Sequence, residues 1–158
     1  MSYGFLHGTK VETGYGACVI ERMTPGDRVL TLAGKMARIV WVGHTIVSAR
    51  EVARVPAAQP IRLPTAAAES EALIVAPEQA VVHLNGTGSA EMRLISAKSP
   101  ELCGARLPVR VDLRFTHLML EQDGLMLVNG VWCQSMTAKT AFDSVGYETQ
   151  SAKIRLAG

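Results

Sequence analysis

The side chains best suited to chemistry in this chain of 158 residues are three cysteines and four histidines. The cysteines are Cys18, Cys103 and Cys133, and no two of them form the Cys-x-x-Cys spacing that is typical of zinc sites. Because their number is odd, they cannot all pair with one another. The spacing therefore predicts free thiols, no bound metal and a reducing cytoplasm as the surroundings.

The histidines need partners before they can act as acids, bases or ligands. His117 lies in an apolar run, where a hydrogen-bonded structural role is the simpler interpretation. His7, His117 and Asp123 would make at best a small metal or hydrolytic site, since a stable transition-metal site usually has three or four ligands with supporting partners. A Ser135–His117–Asp143 hydrolase lacks the Gly-x-Ser-x-Gly turn that presents a serine. Phosphate-binding glycine loops are absent as well, so we expect no cofactor.

Composition indicates one folded domain that spans residues 1–158. The chain is 48% hydrophobic and 19% charged, whereas a disordered chain needs low hydrophobicity and a high net charge. Its net charge is only +2, and its basic residues are scattered, so we expect no nucleic-acid partner. Arg50, Arg54 and Arg62 gather around Glu51, which we interpret as a solvated strand edge. We expect neither a signal peptide nor a membrane span.

The elements that must position these residues are mostly strands. Short β-branched segments separated by Gly, Asn and Pro turns predict an all-β fold. Glycine-containing turns are expected at residues 33–35, 85–88, 122–124 and 129–130. Helix is restricted to one or two turns or a loop at 65–72 and a short turn at 100–103, and residues 137–158 form an added strand or an extension. The predicted strands are 28–32, 37–42, 80–84, 91–95, 113–120, 125–128 and 131–133.

The order of five segments resembles the bacterial group of the Hint domain family, the fold of self-cleaving inteins and hedgehog C-terminal domains. The resemblance covers residues 4–136 and implies a compact β horseshoe of short strands and hairpins with little helix. The segments are 8–13 with its Gly8-Thr9 pair, 23–31 with Pro25-Gly26-Asp27, 39–44, 60–63 followed by 72–79, and 115–120 followed by 129–135.

The resemblance also implies a chemistry, and this chain departs from it. In the family a Cys or Ser at the first position attacks the preceding carbonyl and forms a thioester or ester. A Thr-x-x-His pair strains that amide, and its His protonates the leaving nitrogen. Gly4, Ala76 and Gln79 stand at these three positions. Asp123 stands where a later His is expected, and His117 is the family polar position that remains. The resemblance therefore implies a degenerate, non-catalytic scaffold or interaction module that binds a protein partner.

Two alternatives remain open. One is an active autoprocessing domain that cleaves itself through a thioester at a displaced nucleophile, Cys18 or Cys133. The other is an unrelated small β-barrel or sandwich. If the resemblance is correct, Gly4, Gln79 and His117 must lie close together. The combined substitutions Gly4→Cys, Ala76→Thr and Gln79→His would then be expected to restore weak thiol-dependent cleavage. The sequence does not specify an oligomeric state.

Overall fold

The computed structural model describes residues 3–64, 72–84 and 92–137, and these are arranged as one curled antiparallel sheet that forms a half-barrel. All pairings between its strands are antiparallel. The predicted all-β horseshoe is confirmed. In chain order the strands are β1 Phe5–Leu6, β2 Lys10–Thr13, β3 Gly16–Val19, β4 Arg28–Leu30, β5 Met36–Val47, β6 Ile61–Leu63, β7 Leu73–Val75, β8 Ala80–Leu84, β9 Met92–Ser96, β10 Ala105–Arg106, β11 Leu113–Leu120, β12 Leu125–Val128 and β13 Val131–Gln134.

The strand order explains how distant parts of the chain meet. Along the sheet the path runs β10-β6-β7-β1-β11-β5-β4-β2-β12-β13-β8-β9, and β3 branches from β2. The two-residue strand β1 therefore lies between β7 and β11, where Phe5 pairs with both Val75 and Thr116. Three segments that are far apart in sequence thus become neighbours at the start of β1.

The longest strand, β5, connects the two halves of the curled sheet. Its first residues pair with β4, and the rest pairs with β11 from Val47↔Leu113 to Ile39↔Leu120. The register shifts between Met119 and Leu120, a β-bulge of the kind that bends a strand. The sequence pattern predicted only residues 37–42 of this strand, and the structure extends it to Met36–Val47.

The main core is a single cluster of buried apolar side chains that come from most of the strands. β11 is buried along most of its length, because six successive residues from Phe115 to Leu120 are buried. A second, smaller cluster joins Trp41, Met119 and Met136, with Tyr3 packed against it. Fully buried members of the main core include Val11, Val29, Ile39, Leu73, Val81, Leu118 and Met126.

Turn chemistry follows the sequence at two hairpins. Asn129 and Gly130 both have positive φ values, 45° and 77°, as a two-residue β-hairpin turn of the primed kind requires. Gly34, with φ 83°, closes the β4–β5 connection, where the Thr31 N–H donates to the Lys35 carbonyl. The turn predicted at 85–88 lies outside the described residues, as do positions 65–71 of the predicted helix or loop and 138–158 of the predicted extension.

The predicted strand edge around Glu51 is wrong. Residues Ala49–Arg54 form a helix, α1, because the Ser48 side chain accepts a hydrogen bond from the Glu51 N–H and caps the first turn. Arg50 and Arg54 lie on this helix, and Arg62 lies on β6. Short 3₁₀ turns occupy Ile20–Arg22, Pro56–Ala58 and Pro100–Leu102, the last as expected. None of the helices in the described ranges is long and apolar enough to span a membrane.

Candidate functional site

Gly4 is buried at the start of β1, and both of its backbone polar groups are occupied. Its N–H donates to Oε1 of Gln79 at 3.0 Å, and its carbonyl accepts from the Ala76 N–H at 3.0 Å. Its φ of +105° is a conformation that L side chains rarely adopt. The backbone at this position is therefore fixed from both sides in a conformation that suits glycine.

The imidazole of His117 fills the space in front of the Gly4 Cα. A Cβ added to Gly4 would lie 2.6 Å from Nδ1 and 2.7 Å from Cε1 of that ring, and 3.0 Å from the Thr116 carbonyl oxygen. Real Cβ atoms essentially never approach other heavy atoms to within 3.0 Å. A side chain at position 4 would therefore require His117 to move.

Gln79 connects three segments through one buried side-chain amide. Its Oε1 accepts from Gly4, while its Nε2 donates to the Gln134 carbonyl at 2.9 Å and to the Ala80 carbonyl at 3.1 Å. The side chain uses both amide hydrogens and one oxygen lone pair in these bonds. We call this arrangement of Gln79 with Gly4, Ala80 and Gln134 the Gln79 bridge. It joins the start of β1 to the end of β13.

His117 is a buried, neutral histidine with one partnered nitrogen. Its Nε2 lies 2.9 Å from Oγ1 of Thr45, and its Nδ1 has no hydrogen-bond partner. Burial, and to a smaller extent the nearby His44, lowers the pKa of His117 to about 4. The ring is thus uncharged at neutral pH, and its unpartnered nitrogen faces Gly4.

Two more histidines lie on the opposite face of the β5–β11 pair. Because side chains alternate along strands, His44 and Thr116 project away from His117, and the His44 Nδ1 lies 3.0 Å from the Thr116 hydroxyl. The rings of His7 and His44 meet edge to face, with centroids 5.5 Å apart. Burial lowers the pKa of His7, against the opposing influence of Glu21.

The two candidate displaced nucleophiles differ in their surroundings, and among the described residues no His or carboxylate is hydrogen-bonded to either thiol. Cys133 is completely buried, and burial strongly raises the pKa of its thiol, which donates to the Val131 carbonyl at 3.5 Å. Cys18 is half-buried on β3, packs against the main core and lies 3.8 Å from the Thr13 hydroxyl. A thiol becomes nucleophilic as the thiolate, which a neighbouring base or cation favours.

The remaining candidate residues are not gathered into a site. Asp123 is exposed in the turn before β12, and Oγ of Ser135 accepts from the Gly124 N–H at 3.2 Å. Asp143 lies outside the described residues. No group of three or more His, Cys, Asp or Glu side chains in the ranges 3–64, 72–84 and 92–137 is placed to hold a metal ion. The structure thus brings together Gly4, Ala76, Gln79 and His117.

The sequence analysis missed Thr45, which orients His117. Thr45 lies beyond the predicted end of β5, and its pairing across from Phe115 becomes apparent only when the strand continues past Gly43. Gly43 continues the strand because the Trp41 indole lies over it, and a Cβ there would be 2.4 Å from that ring. The β-branched residues Thr45, Ile46 and Val47 after Gly43 were the available signal.

A family model for the Hint domain matches residues 3–140 of this chain. That range includes every residue of the candidate site. No curated protein matches the chain.

Solved structures of inteins and intein-like domains share the fold. The bacterial intein-like domain from Clostridium thermocellum superposes with a TM-score of 0.56 at 13% identity, over 85% of this chain and 99% of that one. A splice-inactive variant of the AceL NrdHF class 3 split intein gives 0.54 at 14% identity, over 85% and 98%. The MchDnaB-1 intein gives 0.53 at 10% identity, over 84% and 99%.

Proposed function

This chain belongs to the Hint domain family, and from that premise we propose that it is a non-catalytic member which serves as a scaffold or interaction module. The observation that carries the proposal is the contact between Gly4 and His117. The family reaction begins with a side-chain nucleophile at the first position, which Gly4 occupies by its spacing from Gly8-Thr9. Gly4 has no such group, and the His117 ring fills the space where one would begin.

The residue in the place of the family acid also supports loss of activity. An amide nitrogen leaves as an amine, so a general acid must protonate it. Gln79 contacts the relevant nitrogen, that of Gly4, but it does so as a hydrogen-bond acceptor. An amide side chain does not titrate near neutral pH, and both its N–H groups are bound elsewhere. Ala76 similarly provides only a backbone N–H to this amide.

The alternative, cleavage at a displaced cysteine, is less well supported, because among the described residues no His or carboxylate is hydrogen-bonded to either thiol. The buried thiol of Cys133 stays protonated because its pKa is raised. Cys18 contacts a hydroxyl, which is a poor base.

The geometry that remains supports a structural role for the former reaction site. The Gln79 bridge satisfies buried backbone groups on three segments, and buried polar groups are costly unless they are hydrogen-bonded. The residues that replace the reacting groups therefore stabilise the fold. A stable sheet is the property that an interaction module needs.

The test is the mass of the protein after exposure to nucleophiles. The chain is fused behind a reporter protein, purified, and incubated with dithiothreitol or hydroxylamine, which intercept thioesters and esters. We expect the full encoded mass at all times, because Gly4 cannot form either. The same fusion carrying Cys18→Ala and Cys133→Ala is the control. A thiol-dependent fragment that the control lacks would show that the displaced-nucleophile alternative is correct.

A further inference from the structure

A groove of about 890 Å³ lies between the β2–β3 hairpin and the segment that leads into β4. None of the residues that line it belongs to the candidate site. One wall is the strand β3, and the other is formed by Arg22, Met23 and the turn that contains Asp27. This groove is therefore a second concave surface, independent of the former reaction site.

The β3 wall presents a free strand edge. β3 pairs with β2, and it has no second neighbour among the strands of the described ranges. The N–H of Ile20, the residue after β3, donates to the Thr9 carbonyl at 2.7 Å. Because successive N–H groups along a strand point to opposite sides, every second N–H group back along β3 also points towards β2. The intervening N–H groups, those of Ala17 and Val19, point away from β2, and both residues line the groove. An extended peptide can add to such an edge through main-chain hydrogen bonds.

The groove is positively charged. Lys10, Arg22 and Arg28 line it, and all three are exposed. Within the described residues none of them lies within ion-pair distance of a carboxylate. The carboxylate of Asp27 also lines the groove, but it accepts hydrogen bonds from the backbone N–H and the hydroxyl of Thr24.

Apolar groups complete the surface. Tyr15, at the tip of the hairpin, is fully exposed, and Met36, whose side chain lies near Gly14 of the same hairpin, is 38% exposed. Met23 forms part of the buried floor. Thioether side chains adapt to the shape of a bound chain, and an exposed tyrosine supplies contact area at a low entropic cost.

We propose that this groove binds an extended acidic peptide, which adds to β3 as a further strand and places its carboxylates against Lys10, Arg22 and Arg28. The inference rests on the proposed function, because it gives the interaction module its kind of partner. The observations favour a peptide over a nucleic acid. A strand edge offers N–H and C=O groups at the spacing with which another extended polypeptide can pair. Three cations, by contrast, would neutralise only a few phosphates of a nucleic acid.

The probe is a fluorescein-labelled peptide in which Glu alternates with Val and Thr, titrated with the full chain and followed by fluorescence anisotropy. Two peptides serve as matched controls: one with Lys in place of Glu, and one with the same sequence but N-methylated along one edge. We expect binding of the acidic peptide alone. Its affinity should fall as salt is added, because the exposed charges become screened.

Variants of the protein separate charge from the strand edge. The pair Arg22→Glu and Arg28→Glu should weaken binding about tenfold or more, since it places like charges in contact. The pair Arg50→Glu and Arg54→Glu on α1 changes the net charge equally and should leave binding unaltered. Ala17→Pro removes an N–H that points away from β2 and should abolish binding, whereas Ala17→Thr retains the N–H and should not. Thermal melting identifies variants that remain folded.

Equal binding by the two charge-reversed pairs, or undiminished binding by folded Ala17→Pro, would overturn the inference. So would a short oligothymidylate that binds the groove more tightly than the acidic peptide. None of these outcomes bears on cleavage. Failure of peptide binding with the fusion mass intact would remove this inference alone, and thiol-dependent cleavage would remove the proposed function whether or not a peptide binds.

Discussion

The contact between Gly4 and His117 combines two separate constraints on one residue. The φ of +105° disfavours any L side chain, and the imidazole leaves no room for a Cβ. Gly8 meets only the first constraint, since its φ is +93° and nothing lies within 4 Å of its added Cβ. The two glycines therefore allow the backbone cost and the steric cost to be measured separately.

We expect Gly4→Ala to lower the free energy of unfolding by about 3–5 kcal/mol, since strain and overpacking add together. Gly8→Ala should cost about 1–2 kcal/mol from backbone strain alone. Urea denaturation measures both. Adding His117→Ala to Gly4→Ala should recover part of the loss, and strict additivity of the two substitutions would contradict the steric explanation.

Replacing Gln79 should expose the importance of the Gln79 bridge. Gln79→Ala leaves the Gly4 N–H and the Gln134 carbonyl without their partner, so we expect a loss of about 2–4 kcal/mol in the free energy of unfolding. Gln122→Ala is the control, because Gln122 is exposed and its truncation should change stability by less than about 0.5 kcal/mol. If urea denaturation showed equal losses in the free energy of unfolding for Gln79→Ala and Gln122→Ala, the Gln79 bridge would contribute nothing to stability.

The depressed pKa of His117 predicts a loss of stability in acid. The pKa of His117 is 6.5 in the unfolded chain and about 4 in the folded one. At pH values between these two, the unfolded chain binds the proton and the folded one does not. The stabilisation is therefore complete above pH 6.5 and is lost as the pH falls towards 4. On lowering the pH from about 7.5 to about 4.5, the wild type should lose about 2–3 kcal/mol more than His117→Gln. If the free energy of unfolding changed equally with pH in the two proteins, the pKa of His117 would not be depressed in the folded protein.

At the scale of elements, the strands themselves were largely predictable and their contacts were not. The predicted bounds of β8, β11 and β12 agree with the structure, because each is rich in apolar or β-branched residues and is followed in the sequence by turn-forming residues. β5 was predicted too short, since the packing of Trp41 over Gly43 is a tertiary feature that the local pattern does not contain. Helix α1 was missed because it has only six residues, and the Ser48 cap before them is the single feature of the sequence that indicates a helix there.

Gly43→Ala should therefore destabilise the centre of the β5–β11 pair. The new methyl would overlap the buried Trp41 indole, and overpacking of this kind costs about 1–3 kcal/mol. Gly14→Ala is the control, because its nearest neighbour, the flexible Met36 methyl, lies 3.4 Å away. The free energies of unfolding should differ, and the Trp41 fluorescence should change only in Gly43→Ala. An unchanged spectrum with unchanged stability would contradict the packing described here.

At the scale of the whole molecule, the order of the sequence segments was enough to predict the family. The geometry of the site could be described only from the folded structure. The sequence indicated that Gly4, Gln79 and His117 meet if the resemblance is correct. It did not reveal that Gly4 and Gln79, which are 75 positions apart, meet through a hydrogen bond. Nor did it reveal that the His117 ring lies against the Gly4 Cα. Such contacts depend on the closure of the sheet, which no local pattern encodes.

The structure alters the expectation for restored cleavage. The triple variant Gly4→Cys, Ala76→Thr and Gln79→His places a Cβ against His117, so we expect it to be destabilised and to release no reporter when thiol is added. A fourth substitution, His117→Ala, removes the overlap and should permit weak release. The triple variant without Gly4→Cys is the control. Efficient thiol-dependent release by the triple variant itself would mean that the His117 ring moves aside easily.

The Gln79 bridge also has a mechanical consequence. It lies directly between residues 4 and 134, so tension applied at those two points is carried by the Gln79 amide and by the neighbouring bonds from Ala76 to Gly4 and from Met136 to Leu118. The backbone pairings of β1 with β7 and β11, and of β13 with β8 and β12, share this load. A pulling experiment through these positions should therefore show a lower first rupture force for Gln79→Ala than for the wild type.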